Sequence, residues 1–173
     1  MTSTRTWAVA ALVVAVLCLA ESARAADTQT AVDQLATQIT VALPEGRQVR
    51  IVVPPFADPQ GGISDYGRLV ADRLILKLAL NSRLLVIERR TLGPVLAQLK
   101  LAPADLVKPE NARLLVKQLG AEVIVLGSMT EFAGEINLQA RIVEIVSGDT
   151  LGFAAAGATK DSKVTRMLET GRQ

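Results

Sequence analysis

Three short apolar runs, separated by segments with helical spacing, constrain the fold of this chain more than any other feature. The runs occupy residues 48–53 (QVRIVV), 84–87 (LLVI) and 122–128 (EVIVLGS). Each run is mostly apolar, which is typical of a buried strand, and 84–87 is apolar throughout, as expected for a strand that is buried on both faces of a sheet. We therefore predict three buried strands, and we expect residues 84–87 in particular to be covered on both faces.

Two amphipathic helices are predicted around the first run. Apolar residues at helical spacing predict one helix over residues 27–43. Ser64 or Asp65 is a suitable N-cap for a second helix that extends to about Leu80. Its apolar surface is widened by Leu69, Leu76 and Leu80, which indicates a helix that is covered on more than one side.

Two more helices are predicted between the second and third runs. Thr91 is a candidate N-cap for the first of them, and Pro94 would then lie near the start of the helix, where backbone amides have no helical partner. Pro109 begins the other helix and Gly120 ends it. Each apolar run is thus linked to the next by helical sequence.

The chain changes to a strand pattern after the third run. Residues 135–146 alternate at first between apolar and polar side chains, 147–149 (SGD) predict a turn, and 150–159 predict a returning strand. Two β-α-β passages followed by this antiparallel meander predict a single compact α/β domain over residues 26–160, with a mixed β-sheet and helices packed on it. The polar residues 161–173 predict either a short helix or a frayed tail.

The first 25 residues have the features of a cleaved secretory signal. Arg5 supplies a positive charge, residues 8–20 are apolar, and Ala23-Arg24-Ala25 is a suitable cleavage site. The alternative is a lipid anchor at Cys18, but the residue before this cysteine is not small. The protein is therefore predicted to be exported to the periplasm, either free or peripheral at the outer membrane.

The composition excludes several classes of function. Residues 26–173 contain no cysteine and no histidine, so they lack the commonest general base, metal ligand and thiol nucleophile. The chain is therefore predicted not to be an enzyme and to need no cofactor or metal. Loss of the signal changes the formal net charge from +2 to about +1, which is not typical of nucleic-acid binding. No later apolar run is long enough for a transmembrane helix.

One catalytic alternative remains in the acidic residues. Asp58, Asp65 and Asp72 could meet near the start of the second helix, and two adjacent carboxylates could perform acid-base chemistry. The structural alternative is a helix cap and a solvated acidic face, since acidic residues at a helix N-terminus are stabilised by its dipole. We favour the structural alternative.

A charged cluster, Glu88-Arg89-Arg90, follows the second apolar run. The end of a parallel strand is where ligands bind in open α/β sheets, and arginine binds carboxylates and phosphates with two hydrogen bonds. Anion recognition is one hypothesis. The other is a structural joint, in which Arg89 pairs at the sheet edge and Arg90 faces solvent or a partner.

Several segments resemble the FlgO family of flagellum-associated outer-membrane proteins and, more distantly, the CsgG family of curli secretion proteins. They are IVVPPFAD (51–58), SDYGRLVADRLILKL (64–78), LLVIERRTLGPVLAQLKL (84–101), LGAEVIVLGSM (119–129) and LQARIVEIVSGDTLG (138–152). The resemblance implies a compact α/β domain and a non-enzymatic role in the cell envelope, at the flagellar base. The link TEFAGE is too short for the long insertions of CsgG pores, so a secretion channel is not predicted.

The resemblance also implies which residues determine the fold or contact a partner. These family-motif and interaction candidates are Pro54, Phe56, Gly67, Glu88, Arg89, Arg90, Gly127, Ser128, Arg141 and Gly148. The partners would be envelope or flagellar proteins, or further copies of the chain in a homo-oligomer. The alternative function is that of a periplasmic accessory protein that regulates an envelope enzyme such as a peptidoglycan synthase, because the outer-membrane activators of these synthases have a similar small domain.

Overall fold

The computed structural model describes residues 27–170, so the predicted signal with its cleavage site, Cys18 and the last three residues of the predicted tail lie outside the described part. The described chain forms α1 (Thr28–Ala42), β1 (Val49–Val52), α2 (Asp65–Ala79), β2 (Leu84–Ile87), α3 (Arg89–Leu99), a short 3-10 helix (Pro103–Val107), α4 (Pro109–Leu119), β3 (Val123–Phe132), β4 (Glu135–Glu144), β5 (Thr150–Thr159) and α5 (Ser162–Glu169).

The strands form one mixed sheet with the order β2-β1-β3-β4-β5. Strand β1 lies between β2 and β3 and is parallel to both, whereas β3, β4 and β5 form an antiparallel meander. The chain passes twice from one parallel strand to another through helices, which is the connection that parallel strands require. The predicted fold class, a compact α/β domain with a mixed sheet, is confirmed.

Helices cover the two faces of the sheet unequally. On the first face, α1, α2 and α5 bury a large apolar core that includes Leu35, Leu74 and Leu168 and extends over all five strands. On the second face, α3, the 3-10 helix and α4 bury a smaller core around Val52 and Ile124. The second face is therefore covered near β1 and the beginning of β3, but not along the rest of the meander.

The outer edge of β5 is blocked by a side chain. The side-chain amide of Gln38 on α1 donates to the carbonyl oxygen of Ala155 at 2.9 Å, and its oxygen accepts from the amide of the same residue at 3.0 Å. These two bonds occupy backbone groups to which a further strand would otherwise pair. Gln38 thus protects the edge that the meander leaves at the end of the sheet.

Two expectations about burial are wrong. Residues 84–87 are not buried on both faces, because β2 lies at the edge of the sheet and the side chain of Leu85 is 46% exposed. On α2, Leu76 is 70% and Leu80 is 80% exposed, so these two residues do not extend the buried surface of the helix, whereas Leu69 does pack against the core. The apolar composition of a strand or helix does not show whether neighbouring elements cover each of its faces.

The predicted start of α3 is also wrong. The helix begins at Arg89, directly after β2, with Glu88 at the N-cap position and no side-chain capping bond, so Thr91 does not cap it. Pro94 consequently lies beyond the first turn. The carbonyl that would have accepted from its missing amide belongs to Arg90, an exposed residue, and water can take the place of that bond. Of the two caps considered for α2, Ser64 is used, and its hydroxyl accepts from the amide of Gly67 at 3.2 Å.

The polar C-terminal segment contains the short helix α5. Asp161 caps it by accepting from the amide of Val164 at 2.7 Å. Val164 and Leu168 are buried in the core of the first face. Among the helices of residues 27–170, none is long and apolar enough to cross a membrane.

Candidate functional site

Four of the predicted residues lie at a joint after β1, in which Phe56 contacts Gly67 and Gly127. Pro54 and Phe56 are buried, and the backbone amide of Phe56 donates to the carbonyl of Gly67 at 3.2 Å. A Cβ atom on Gly67 would lie 2.1 Å from the Phe56 carbonyl oxygen, and a Cβ atom on Gly127 would lie 2.3 Å from the Phe56 ring. Both glycines are therefore needed for close packing. We call Pro54, Phe56, Gly67 and Gly127 the Phe56 joint.

The Phe56 joint holds the following loop, residues 57–62, against β3. The amide of Ala57 donates to the carbonyl of Gly127 at 3.1 Å, and the amide of Met129 donates to the carbonyl of Ala57 at 2.9 Å. Asp58 folds the loop back, because its carboxylate accepts from the amides of Gln60 at 3.0 Å and Gly62 at 2.7 Å. The position of the loop is thus set by backbone contacts with the sheet.

The second-face side chains of the meander are exposed. Ser128 on β3 and Gln139 on β4 face solvent, Arg141 on β4 is half-buried, and Phe153 on β5 is 73% exposed. Arg141 and Phe153 are direct cross-strand partners. We call this surface of Ser128, Gln139, Arg141 and Phe153 the open face. A groove of about 380 Å³ lies between it and the loop that begins at Ala57.

A smaller cleft of about 50 Å³ borders the open face beside α4. It is lined by Arg141 and by Arg113, which extends over the turn after β4. Gly148 in that turn has a φ of +81°, and a Cβ atom there would lie 2.3 Å from a guanidinium nitrogen of Arg113. Gly148 is therefore required both by the turn and by the position of Arg113.

The charged cluster after β2 lies at the opposite edge of the sheet. Arg89 donates to the carboxylate of Asp72 on α2 at 2.8 Å, which links α3 to α2. Arg90 pairs with Glu88 at 2.6 Å, but its side chain is 83% exposed. Arg89 therefore has the geometry of a joint between helices, and Arg90 lies on the surface.

The three candidate acidic residues have separate partners. Asp58 accepts from its own loop, Asp65 pairs with Arg68 at 3.0 Å, and Asp72 pairs with Arg89. No group of three or more acidic residues between residues 27 and 170 is arranged to hold a metal ion. This arrangement is that of caps and surface ion pairs.

Perturbed titrating groups lie away from the open face. Burial raises the pKa of the Tyr66 phenol, whose oxygen lies 3.2 Å from the hydroxyl of Thr28 in the core of the first face. The pKa of Glu122, just before β3, is lowered by a hydrogen bond from the Arg47 side chain and also by a bond from the amide of Arg50. Both pKa shifts are thus caused by contacts within the fold, namely burial for Tyr66 and hydrogen bonds for Glu122.

Sequence reasoning identified part of this surface. Ser128 and Arg141 lie on or beside the open face, whereas Glu88, Arg89 and Arg90 are at the other edge of the sheet. Phe153, Gln139 and Arg113 were not among the candidates. The signal for Phe153 was its place in the strand 150–159, where it is the one large aromatic residue among small ones.

The described part of the chain is similar to known proteins in sequence and in fold. A family model described as curli production assembly/transport component CsgG matches residues 36–165, which includes all five strands. No curated protein sequence matches the chain.

Solved structures with the same fold include three bacterial proteins. The LpoB C-terminal domain from Salmonella enterica is similar with a TM-score of 0.65 and 18% identity, over 77% of this chain and 98% of that chain. The corresponding domain from Escherichia coli has a TM-score of 0.63 at 16% identity, over 77% and 98%. Lipoprotein GNA1162 from Neisseria meningitidis has a TM-score of 0.54 at 18% identity, over 66% of this chain and 83% of that chain. At 16–18% sequence identity, these similarities show a shared fold.

Proposed function

The chain belongs to the CsgG family, and from that premise we propose that it is a non-enzymatic cell-envelope protein that binds another protein through its open face. The observation that carries the proposal is the unequal covering of the sheet. Helices bury one face along all five strands, while Phe153 and its neighbours on the other face remain exposed. Aromatic residues and arginine are enriched at protein interfaces relative to the rest of a protein surface, and Phe153 and Arg141 are neighbours on this face.

The chemistry of the open face favours a protein partner. Two of its four residues, Arg141 and Phe153, are of types that are enriched at protein interfaces, and arginine is frequent among the residues that supply most of the binding energy. The groove beside the open face is open to solvent, and the whole chain contains no histidine. These properties suit a contact surface better than a catalytic pocket.

The proposed location is the periplasm. Residues 1–25 have the pattern of a secretory signal, and after its removal the protein would be free in the periplasm or peripheral at the outer membrane. Attachment through a lipid on Cys18 is the alternative route to the outer membrane. Mass spectrometry of the N-terminus of the exported protein distinguishes the two, because cleavage after Ala25 removes Cys18 and lipidation retains it.

Site-specific photocrosslinking tests the open face. Phe153 is replaced by the photoreactive aromatic residue p-benzoylphenylalanine in the full chain in cells, and Leu76 is replaced in the same way as a matched control. Both side chains are apolar and about equally exposed, but Leu76 lies on α2, over the first face. We expect a discrete protein adduct from position 153 and none from position 76. No adduct from position 153, or equal adducts from both positions, contradicts the proposal.

The identity of the adduct separates the finer proposals. The FlgO-like segments support a partner at the flagellar base, and a deletion strain would then have defective motility or flagellar assembly. The fold analogy with small accessory domains supports a second candidate, regulation of an envelope enzyme such as a peptidoglycan synthase, and the purified protein would then change the rate of that enzyme. An adduct between two copies of the chain would indicate a homo-oligomer. Normal motility in the deletion strain refutes the flagellar role.

A further inference from the structure

Two arginines line one cleft at the border of the open face. Arg141 projects from β4 next to Phe153, its cross-strand partner, and Arg113 reaches the same cleft from α4. The positive φ and missing side chain of Gly148 make room for the guanidinium of Arg113. Two cationic groups from separate elements therefore border a space of about 50 Å³.

Neither arginine has an acidic partner within residues 27–170. The ion pairs of this region use Arg47, Arg68, Arg89 and other cations, but not Arg113 or Arg141. Among the residues that line the adjoining groove, the acidic one is Asp58, whose carboxylate accepts from the amides of Gln60 and Gly62.

The burial of Arg141 distinguishes it from an arginine on an open surface. A fully exposed cation needs no acidic partner, because water solvates it. Arg141 is half-buried, and Arg113 adds a second positive charge at the same cleft. An incoming carboxylate would form charge-assisted hydrogen bonds with one or both guanidinium groups, which are stronger than bonds between neutral groups. The cleft is therefore complementary to a negative charge.

We propose that the partner presents an acidic segment to Arg113 and Arg141, with an apolar residue of the same segment packed on Phe153. This inference rests on the proposed function, and it specifies the chemistry of the partner. A protein carboxylate is favoured over a lipid headgroup because the cleft is small and the open face is otherwise neutral. Binding to an anionic membrane surface depends on a cluster of several basic residues.

Charge reversal tests the inference in the crosslinking experiment at position 153. Arg113→Glu and Arg141→Glu are each combined with the photoreactive residue, and Arg166→Glu is the matched control. The control makes the same charge change on α5, which covers the first face. We expect each cleft variant to reduce the yield of the adduct by about tenfold to a hundredfold, because charged hydrogen bonds contribute about 1.5–3 kcal/mol each. The control should keep the wild-type yield.

The outcomes separate this inference from the proposed function. No adduct in the wild-type background contradicts the proposed function, and the inference with it. An adduct whose yield is unchanged in both cleft variants overturns the acidic segment alone. If a charge-reversed variant has a lower melting temperature than wild type, Arg113→Gln and Arg141→Gln replace it, and an unchanged yield from these folded variants is equally contradictory.

Two further measurements identify the source of the negative charge. Mass spectrometry of the adduct locates the crosslinked peptide of the partner, and we expect Asp or Glu residues close to the crosslinked position. A peptide without acidic residues overturns the inference. The purified protein is also sedimented with vesicles of phosphatidylglycerol. Binding to these vesicles that is lost in Arg113→Glu and Arg141→Glu would assign the cleft to a lipid instead.

Discussion

Substitution of Gly67 by alanine should destabilise the protein although Gly67 lies in a helix. Alanine in place of a helical glycine ordinarily stabilises by about 1 kcal/mol. At this position the new Cβ atom would lie 2.1 Å from the carbonyl oxygen of Phe56 and 3.2 Å from the end of the Met129 side chain. The first contact is with backbone that also hydrogen-bonds to Gly67 itself, so it cannot be relieved by a side-chain rotation.

The steric cost at Gly67 should exceed the gain in helix propensity. Overpacking of this kind costs about 1–3 kcal/mol and occasionally more, and displacement of the loop would weaken a backbone hydrogen bond contributing about 1 kcal/mol. We expect a net loss of about 1–3 kcal/mol in the free energy of unfolding. For a chain of this size that corresponds to a decrease of roughly 2–12 °C in melting temperature.

Gly93 provides the matched control for this prediction. It lies in α3, is exposed, and a Cβ atom there would have nothing within 4 Å. Gly93→Ala should therefore raise the free energy of unfolding by up to about 1 kcal/mol. Both variants are compared with wild type by thermal and urea denaturation. The packing explanation for the Phe56 joint is refuted if Gly67→Ala is as stable as wild type while Gly93→Ala behaves as expected.

Three further perturbations test other contacts. Arg89→Ala should lower the free energy of unfolding by about 0.5–1 kcal/mol, because it removes a partly exposed ion pair, whereas Arg90→Ala should change this free energy little. Equal melting temperatures for wild type and Arg89→Ala would contradict the role of Arg89 as a structural joint. Gln38→Ala should lower the free energy of unfolding by about 1 kcal/mol and expose the edge of β5 to pairing with another copy of the chain. Light scattering would detect this pairing as an apparent mass that increases with protein concentration. A variant that stays monomeric with wild-type stability would contradict the protection of this edge by Gln38. Glu122→Gln should destabilise at neutral pH by less than about 1 kcal/mol, because its ion pair is partly exposed. The pKa of Glu122 is lowered in the folded state, so the stability that its carboxylate contributes is present above the pKa of glutamate in the unfolded chain and is lost as the pH falls below about 4. A difference in the free energy of unfolding between wild type and variant that persists undiminished at pH 3 would contradict this.

The fold was largely predictable because its pattern is local. The apolar runs, the caps and the turn at 147–149 each depend on a few neighbouring residues, and they determine the order and type of the elements. The edge position of β2 was not predictable in this way. Its four apolar residues resemble a central strand, and only the strand order shows that Leu85 has solvent beside it.

The candidate site depends on contacts between distant parts of the chain. Gly67 and Gly127 could be recognised as sites of close packing, but their shared partner, Phe56, is set by the tertiary structure. Arg113 lies in an exposed helix position that has no local signal for function, and Phe153 is distinguished in the sequence only as the one aromatic residue of the strand 150–159. Only the register of β4 with β5 and the position of α4 bring both residues to Arg141.

The most direct test of the central claim is the ratio of photocrosslinked adduct from position 153 to that from position 76 in cells. The open face and the outer surface of α2 present apolar side chains of nearly equal exposure, so exposure alone predicts a ratio near one. Binding of a partner through the open face predicts a discrete adduct from position 153 and a large ratio. A ratio near one, or an adduct from position 76 alone, would contradict it.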